Sequence, residues 1–338
     1  MDQQRSKERA RPVRVISVSV LGRPNGQERR NGARLDLLAG VAHQIRRRAT
    51  WRDIDALLLP AGYFRLNIWF GPLSSHERFE LIDETEVGEG CRLIAKKLSA
   101  RSPGCLVIAG IDTNRPSHGF RGDQLVVAFD QHQCRAFARK IFPVDGDTNE
   151  WGRVPYLLFE DDFGDRGRYL RLPNGDQAML SVCYDAFALA ELAIGPTQKR
   201  GTLRFFGHPQ TFWRWPHRDE ASVLLGRYAA RLKLERPTIH LVAIHGFERP
   251  GGEVYWQRHG LATASAALGG SATIGAGHFA KKLPKAFDAS PLASADVPSA
   301  HLRQHQHRRS HLLRPIDGFA YRRPGSRMSV LVRLFQTH

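Results

Sequence analysis

The sequence predicts an α/β layered domain covering roughly residues 12–285. Three observations carry that prediction. Short apolar strands alternate with amphipathic helical stretches, and hairpin-like strand pairs interrupt the alternation, a mixture that calls for sheets covered by helices. The chain has 338 residues and is 42% hydrophobic, enough for one large core or two ordinary ones. No repeat of 20–50 residues divides it into smaller units.

Val13–Val20 alternates and is rich in β-branched residues, so it reads as a first strand. Leu35, Leu38, Val41, Ala42 and Ile45 recur at helical spacing and lead into Arg46-Arg47-Arg48. Ile54–Leu59 is a buried strand stopped by Pro60-Ala61-Gly62, followed by a loop. A helix over about 90–100 carries Cys91, Ile94, Ala95 and Leu98 on one face. Cys105–Ile111 and Gln124–Phe129 are strands, and Cys134–Phe142 is a further strand turned back by Asp130–Gln133. After a polar loop come a strand ending at Cys183 and a short helix through Leu192. A strand at Leu203–Phe206, a helix near 220–234 and a strand at Ile239–Ile244 follow. The Gly269-Gly270-Ser271 and Gly275-Ala276-Gly277 stretches read as turns at strand ends, since no phosphate-loop pattern accompanies them.

The expected organisation is a polar extension over 1–12, a domain over 13–285, and a basic His- and Arg-rich linker and tail over 286–338. Within that tail Phe319–Tyr321 and Met328–Phe335 restore hydrophobicity, as a last strand docking on the body or on a partner subunit would.

The formal net charge is +17, and the last 38 residues hold eight arginines against one aspartate. Such a surface attracts polyanions without fixing the fold, and no nucleic-acid motif with interleaved aromatics accompanies it. No apolar run reaches the roughly 20 residues of a membrane span. Met1–Arg11 lacks an apolar export core, so the expectation is a cytoplasmic protein with no membrane partner. The four cysteines (Cys91, Cys105, Cys134, Cys183) show no metal or disulfide spacing and are expected to be reduced thiols. His301, His305, His307 and His311 read as a basic tail, and no metal and no cofactor is expected.

Chemistry concentrates at Met179–Phe187, an apolar strand that ends abruptly on Cys183-Tyr184-Asp185 before a helical pattern. A thiol at a strand-to-helix corner sits where the first helical amides favour both a thiolate and an oxyanion. Cys183 is therefore a candidate nucleophile; the other reading is a buried strand cysteine. Phe205-Phe206 and Phe212–Trp215 are candidates for a pocket wall or for core.

Four stretches together resemble the carbon–nitrogen hydrolase superfamily of nitrilases and aliphatic amidases, over roughly residues 13–280. They are Asp55–Pro60, Leu106–Gly110, Ala138–Pro143 and Ser181–Asp185. The resemblance implies an α-β-β-α sandwich and a Cys-Lys-Glu site hydrolysing non-peptide amides, nitriles or carbamoyl groups. Cys183 matches the nucleophile, and Lys140, 43 residues earlier, matches the lysine. A fixed positive charge there lowers the thiol pKa and stabilises the oxyanion. Glu160, 23 residues before Cys183, is the preferred second glutamate, with Glu150 as the fallback. Tyr184, through its amide, Tyr63 and His245 are the candidate substrate- or oxyanion-binding residues. The resemblance also implies a tendency toward dimers.

The sequence departs from the family at its base. The general-base Glu should follow the proline that closes the second strand, and here Pro60 is followed by Ala61. Alanine takes no proton, and Glu77 and Glu80 are the nearest downstream acids. The stretch Cys183–Glu191 also lacks the family's Phe-Pro-Glu ending. Two functions stay open. One is a thiol-dependent C–N hydrolase acting through a Cys183 thioester, with Lys140 and Glu160 assisting. The other is an inactive nitrilase-like scaffold, a pseudoenzyme binding an acidic or nucleic-acid partner.

Overall fold

The computed structural model describes residues 11–22, 30–68, 70, 73–114, 121–140, 166–183, 185–186, 230, 237–246, 256–268, 272–279, 283, 293–294 and 313–337. Two sheets face each other. The 9-stranded sheet contains β1 (Arg14–Leu21), β2 (Ala56–Leu58), β3 (Phe64–Leu66), β4 (Leu106–Asn114), β5 (Arg121–Phe129) and β6 (Cys134–Arg139). It is completed by β11 (His278–Phe279), β13 (Pro315–Arg322) and β14 (Ser329–Gln336). Its order is β13-β14-β1-β2-β4-β5-β6, with β3 also on β4 and β11 on β1. The 5-stranded sheet holds β7 (Tyr169–Arg171), β8 (Gln177–Val182), β9 (Ile239–Ala243), β10 (Ala272–Ala276) and β12 (Ala293–Ser294), in the order β12-β10-β9-β8-β7.

Side-chain alternation splits the core in two. On β4, Leu106 and Ile108 point between the sheets, whereas Val107, Ala109 and Ile111 point to the helical side. The helical side is covered by α1 (Asn31–Arg47), α2 (Ser75–Asp83) and α3 (Glu86–Ser99). Leu37, Leu38, Val41, Ala42 and Ile45 form the buried stripe of α1. Arg46 and Arg47 close its last turn, where cations oppose the negative helix end. A π-helical turn at Trp256–Leu261 and α4 (Ala262–Ala267) bring Trp256, Leu261 and Ala264 onto the core that includes the smaller sheet.

The strands β1, β2 and β4 are mutually parallel, as are β8, β9 and β10. The chain leaves β10 directly into β11, which pairs parallel with the end of β1 (Val20 opposite His278). The parallel strands of both sheets therefore end at the same side of the sandwich, where open α/β sheets place their ligand sites.

Several expectations are corrected. The segment after Pro60 is not all loop: it contains β3 and α2, whose Ser74 and Glu77 form a capping box. The polar stretch before Cys183 contains β7, and residues 256–267 are helical. The Gly275-Ala276 stretch lies at the end of strand β10, not in a turn. Within the stretch expected as linker and tail, residues 315–336 form the strand pair β13–β14, with the hydrophobic segments docked on the body. β14 pairs antiparallel with β1 from Arg14–Gln336 to Val20–Val330, so the fold runs to the end of the described chain. The strand at Leu203–Phe206, the helix near 220–234 apart from residue 230, the aromatic cluster at 205–215 and the 301–311 histidines lie outside the described residues. No helix among the described residues is long and apolar enough to cross a membrane.

Candidate active site

Cys183 closes β8 in an unusual backbone state. Its φ is 49°, in the left-handed region that residues other than glycine seldom occupy. A conformation of this kind costs on the order of 1–3 kcal/mol and persists where surrounding structure enforces it. Two hydrogen bonds do so here. The Cys183 N–H donates to Ala243 O at 2.6 Å, and its carbonyl accepts from Ala186 N at 3.3 Å, at a sharp strand-to-helix corner. Cys183 is buried, with 5% of the residue exposed.

His245 reaches the same point from the neighbouring strand, two residues beyond β9. Its imidazole lies beside the Cys183 side chain, and its Nε2 lies 2.7 Å from Asp112 Oδ1. Burial by itself disfavours the imidazolium. The Asp112 carboxylate and the hydrogen bonds to Asp112 and Cys183 outweigh burial and raise the His245 pKa to about 10. His245 and Asp112 keep 20% and 16% of their side chains exposed, so the dyad borders solvent.

Asp112 comes from the larger sheet. Its parity on β4 matches Leu106 and Ile108, so it points between the sheets toward β8 and β9. It sits in register with Arg65 on β3 and Gln124 on β5. Lys140 is the next residue after β6; its backbone N–H donates to Gln124 O at 2.8 Å. Ala136 and Ala138 face the inter-sheet core and Phe137 the helical side, so Lys140 continues the inner face. Arg65, Asp112, Gln124 and Lys140 thus form one row across adjacent strands. Lys140 is 1% exposed.

Ala61 is fully buried in the cluster that includes Cys183. The Pro60–Ala61 turn lies against Gly110, where an added Cβ would sit 2.1 Å from Pro60 O and 2.4 Å from Ala61 Cα. From below, the buried Arg34 guanidinium donates to Gly62 O at 3.0 Å and to Tyr63 O. No carboxylate is available at position 61, and the two downstream acids do not replace it. Glu77 is fixed in its capping box and Glu80 is exposed on α2.

His278, at the β10–β11 crossing, is 2% exposed and borders this polar cluster. Burial first, then Arg34 and His245, push its pKa down to about 3. Tyr63 is placed otherwise than expected. Its ring packs in the helix-side core against Phe64, and its hydroxyl donates to Arg34 O at 3.1 Å. It is a core residue on the face opposite Cys183. Glu160, Glu150 and Tyr184 lie outside the described residues. The structure brings together Cys183 and His245, sets Lys140 in the row that begins beside Asp112, and adds Asp112, which the sequence analysis missed. The available signal was strand parity, because extending the Leu106–Ile111 strand by one residue puts Asp112 on the face of Leu106 and Ile108.

No group of three or more His, Cys, Asp or Glu side chains among the described residues is arranged to hold a metal ion. No family model matches the sequence, and no curated protein matches it. Among solved structures, the chain is similar to an amidase of the nitrilase superfamily from Nesterenkonia AN1, studied there as a cysteine-to-alanine mutant. The overlap has 13% identity and a TM-score of 0.46, covering 97% of this chain and 92% of that one. A cysteine-to-serine mutant of the same amidase gives 14% identity and a TM-score of 0.48, over 95% and 90% of the two chains. A glutamine-dependent NAD(+) synthetase from Cytophaga hutchinsonii gives 11% identity and a TM-score of 0.40, over 79% of this chain and 36% of that chain.

Proposed function

We propose that this chain is a thiol hydrolase of a non-peptide C–N bond in a small amide, nitrile or carbamoyl compound. The observation that carries the reading is Cys183. It is held in a left-handed turn at the end of a parallel strand, beside an imidazole that is itself paired to a carboxylate. A structural cysteine needs neither the strain nor the partner.

In this reading Cys183 Sγ attacks the carbonyl carbon of an amide, or the carbon of a nitrile to give a thioimidate to which a first water adds. Ammonia or an amine then leaves, and water resolves the thioester. The Lys140 ammonium, buried on the inner face, stabilises the negative charge of the tetrahedral intermediate, where low dielectric strengthens the interaction. The Tyr184 amide and Glu160 are carried as further members of the site on the sequence resemblance alone.

One observation favours the alternative, an inactive binding scaffold: Ala61 is buried where the resemblance implies the base. The two are separated by ammonia release from a panel of short aliphatic amides and nitriles. Intact-mass detection of acyl-enzyme accompanies it, with Cys183→Ala as control. Ammonia release that depends on Cys183 supports the hydrolase; neither adduct nor ammonia supports the scaffold.

A further inference from the structure

Resting on the thiol-hydrolase reading above, we propose that the His245–Asp112 pair performs the proton transfers that the resemblance would assign to a glutamate at position 61. The nucleophile is then served by a Cys183–His245–Asp112 relay that joins the two sheets.

Position 61 supplies no base. Ala61 is fully buried, and its turn is pressed against Gly110 so closely that even a methyl group on Gly110 would collide with Pro60 and Ala61 backbone atoms. The nearest downstream acids are exposed on α2, and upstream Asp55 is buried in a bidentate pair with Arg11. A base must therefore come from elsewhere, and the described residues place one group against the thiol. Cys183 N–H is tied to Ala243 O at 2.6 Å, which sets His245, two residues on, beside the thiol, while His245 Nε2 is committed to Asp112 Oδ1 at 2.7 Å. A nucleophile, a base within reach and a third group orienting that base make up the arrangement that activates a thiol.

The surroundings suit an imidazole that changes charge during the cycle. Asp112 on β4 stabilises the imidazolium, and Cys183 beyond β8 is its partner when ionised. His278 on β11 stays neutral, with Arg34 of α1 beside it, so no second imidazolium opposes the first. Lys140 at the end of β6 is separated from Asp112 by Gln124 within the same row.

In the relay the Cys183 thiol proton passes to His245, leaving a thiolate and an imidazolium. The thiolate forms a C–S bond with an amide carbonyl carbon, and the carbonyl electron pair moves to oxygen. As that pair returns, the C–N bond breaks, and His245 delivers its proton to the departing nitrogen, which leaves as ammonia or an amine. The imidazole, now neutral and held by Asp112, takes a proton from water as the water oxygen bonds to the thioester carbon. Collapse of this second intermediate breaks the C–S bond, releases a carboxylic acid and restores the thiolate–imidazolium pair. The sum is amide plus water giving acid plus amine.

The test uses the full chain and 4-nitrophenyl acetate, an activated ester that acylates a reactive thiol whatever the natural substrate. The 4-nitrophenolate burst reports acylation, and decay of the acetyl-enzyme by intact mass reports water activation. The expected result is that His245→Gln slows both steps by about 10²–10⁴-fold, and that Asp112→Asn slows decay. Free imidazole is expected to rescue His245→Gly, and melting temperatures report that the variants are folded. A structural role for His245 would not be rescued by imidazole. A burst and decay unchanged in His245→Gln and Asp112→Asn would overturn the relay while leaving the thiol-hydrolase reading intact. No burst at Cys183 in the wild-type protein would overturn that reading itself. Loss of both steps in Lys140→Met with none in His245→Gln would assign the activation to the lysine and overturn the relay.

Discussion

His245 Nε2 and Asp112 Oδ1 lie 2.7 Å apart, although 133 residues separate them in sequence and they belong to different sheets. The contact closes the sandwich at the end where the parallel strands of both sheets terminate. Its position beside Cys183 makes it the feature most sensitive to small changes. Asp112→Asn keeps the shape but removes the charge that holds the imidazolium. Turnover of whichever amide the panel identifies is expected to fall about 10²–10⁴-fold, with KM little changed, as steady-state kinetics will report.

The same pair predicts a pH signature in stability. The His245 pKa is raised from 6.5 to about 10, against burial, by Asp112 and by the hydrogen bonds to Asp112 and Cys183. A raised imidazole stabilises the fold fully below its unfolded value and loses that contribution as pH rises through the folded one. The urea midpoint of the wild type should therefore decline between pH 6.5 and about 10, and that component should vanish in His245→Gln. On the acid side the sign reverses. Burial and Arg168 depress His240 to about 3; burial, Arg34 and His245 do the same to His278. Their contribution is present above pH 6.5 and lost as pH falls toward about 3.

Much of this arrangement was legible in the sequence, and the rest was hidden for identifiable reasons. β1, α1, β5 and β8 announced themselves by periodicity, because their burial pattern is carried by their own residues. Cys183 and Lys140 were legible by motif. α2 reads as loop in the sequence although Ser74 and Glu77 carry a capping signature, because its apolar stripe is thin. Asp112 was missed because its meaning depends on which face of β4 it occupies and on a histidine contributed by the other sheet. The C-terminal pair β13–β14 was legible only as a single docking strand at Phe319–Tyr321 and Met328–Phe335, because its charge blurs the strand pattern. Arg333, which reads as a tail arginine, is buried between strands and donates to Ser19 Oγ at 2.8 Å.

Gly110 is expected to tolerate no side chain. In Gly110→Ala the new methyl would meet backbone atoms of Pro60 and Ala61, which have no flexible end to move aside. Overpacking of this kind costs typically 1–3 kcal/mol, or about that. The turn below the site would shift with it. Chemical denaturation should show the loss, and Cys183 labelling should slow along with it.

Removing the C-terminal hairpin separates a tail from a structural element. Truncation after Leu313 strips β14 from β1 and exposes Val15, Val18 and Val20 along a strand edge. The truncated chain is expected to be insoluble or to lack a cooperative thermal transition. A soluble, cooperatively folding truncation would contradict the sheet order described here.

Cys91 and Cys105 are fully buried, with thiol pKa values pushed up by burial, and Cys134 is likewise raised by burial and then by Asp83. These three are internal controls for the measurement that bears most directly on Cys183 as an activated nucleophile served by His245. Iodoacetamide labelling at pH 6, quantified by peptide mapping in the folded wild type and in His245→Gln, compares all four thiols in one experiment. The relay predicts rapid modification of Cys183 alone in the wild type and a slowing of about 10²-fold or more in the variant. Labelling of Cys183 at the rate of the other three, or at the same rate with and without His245, would contradict it.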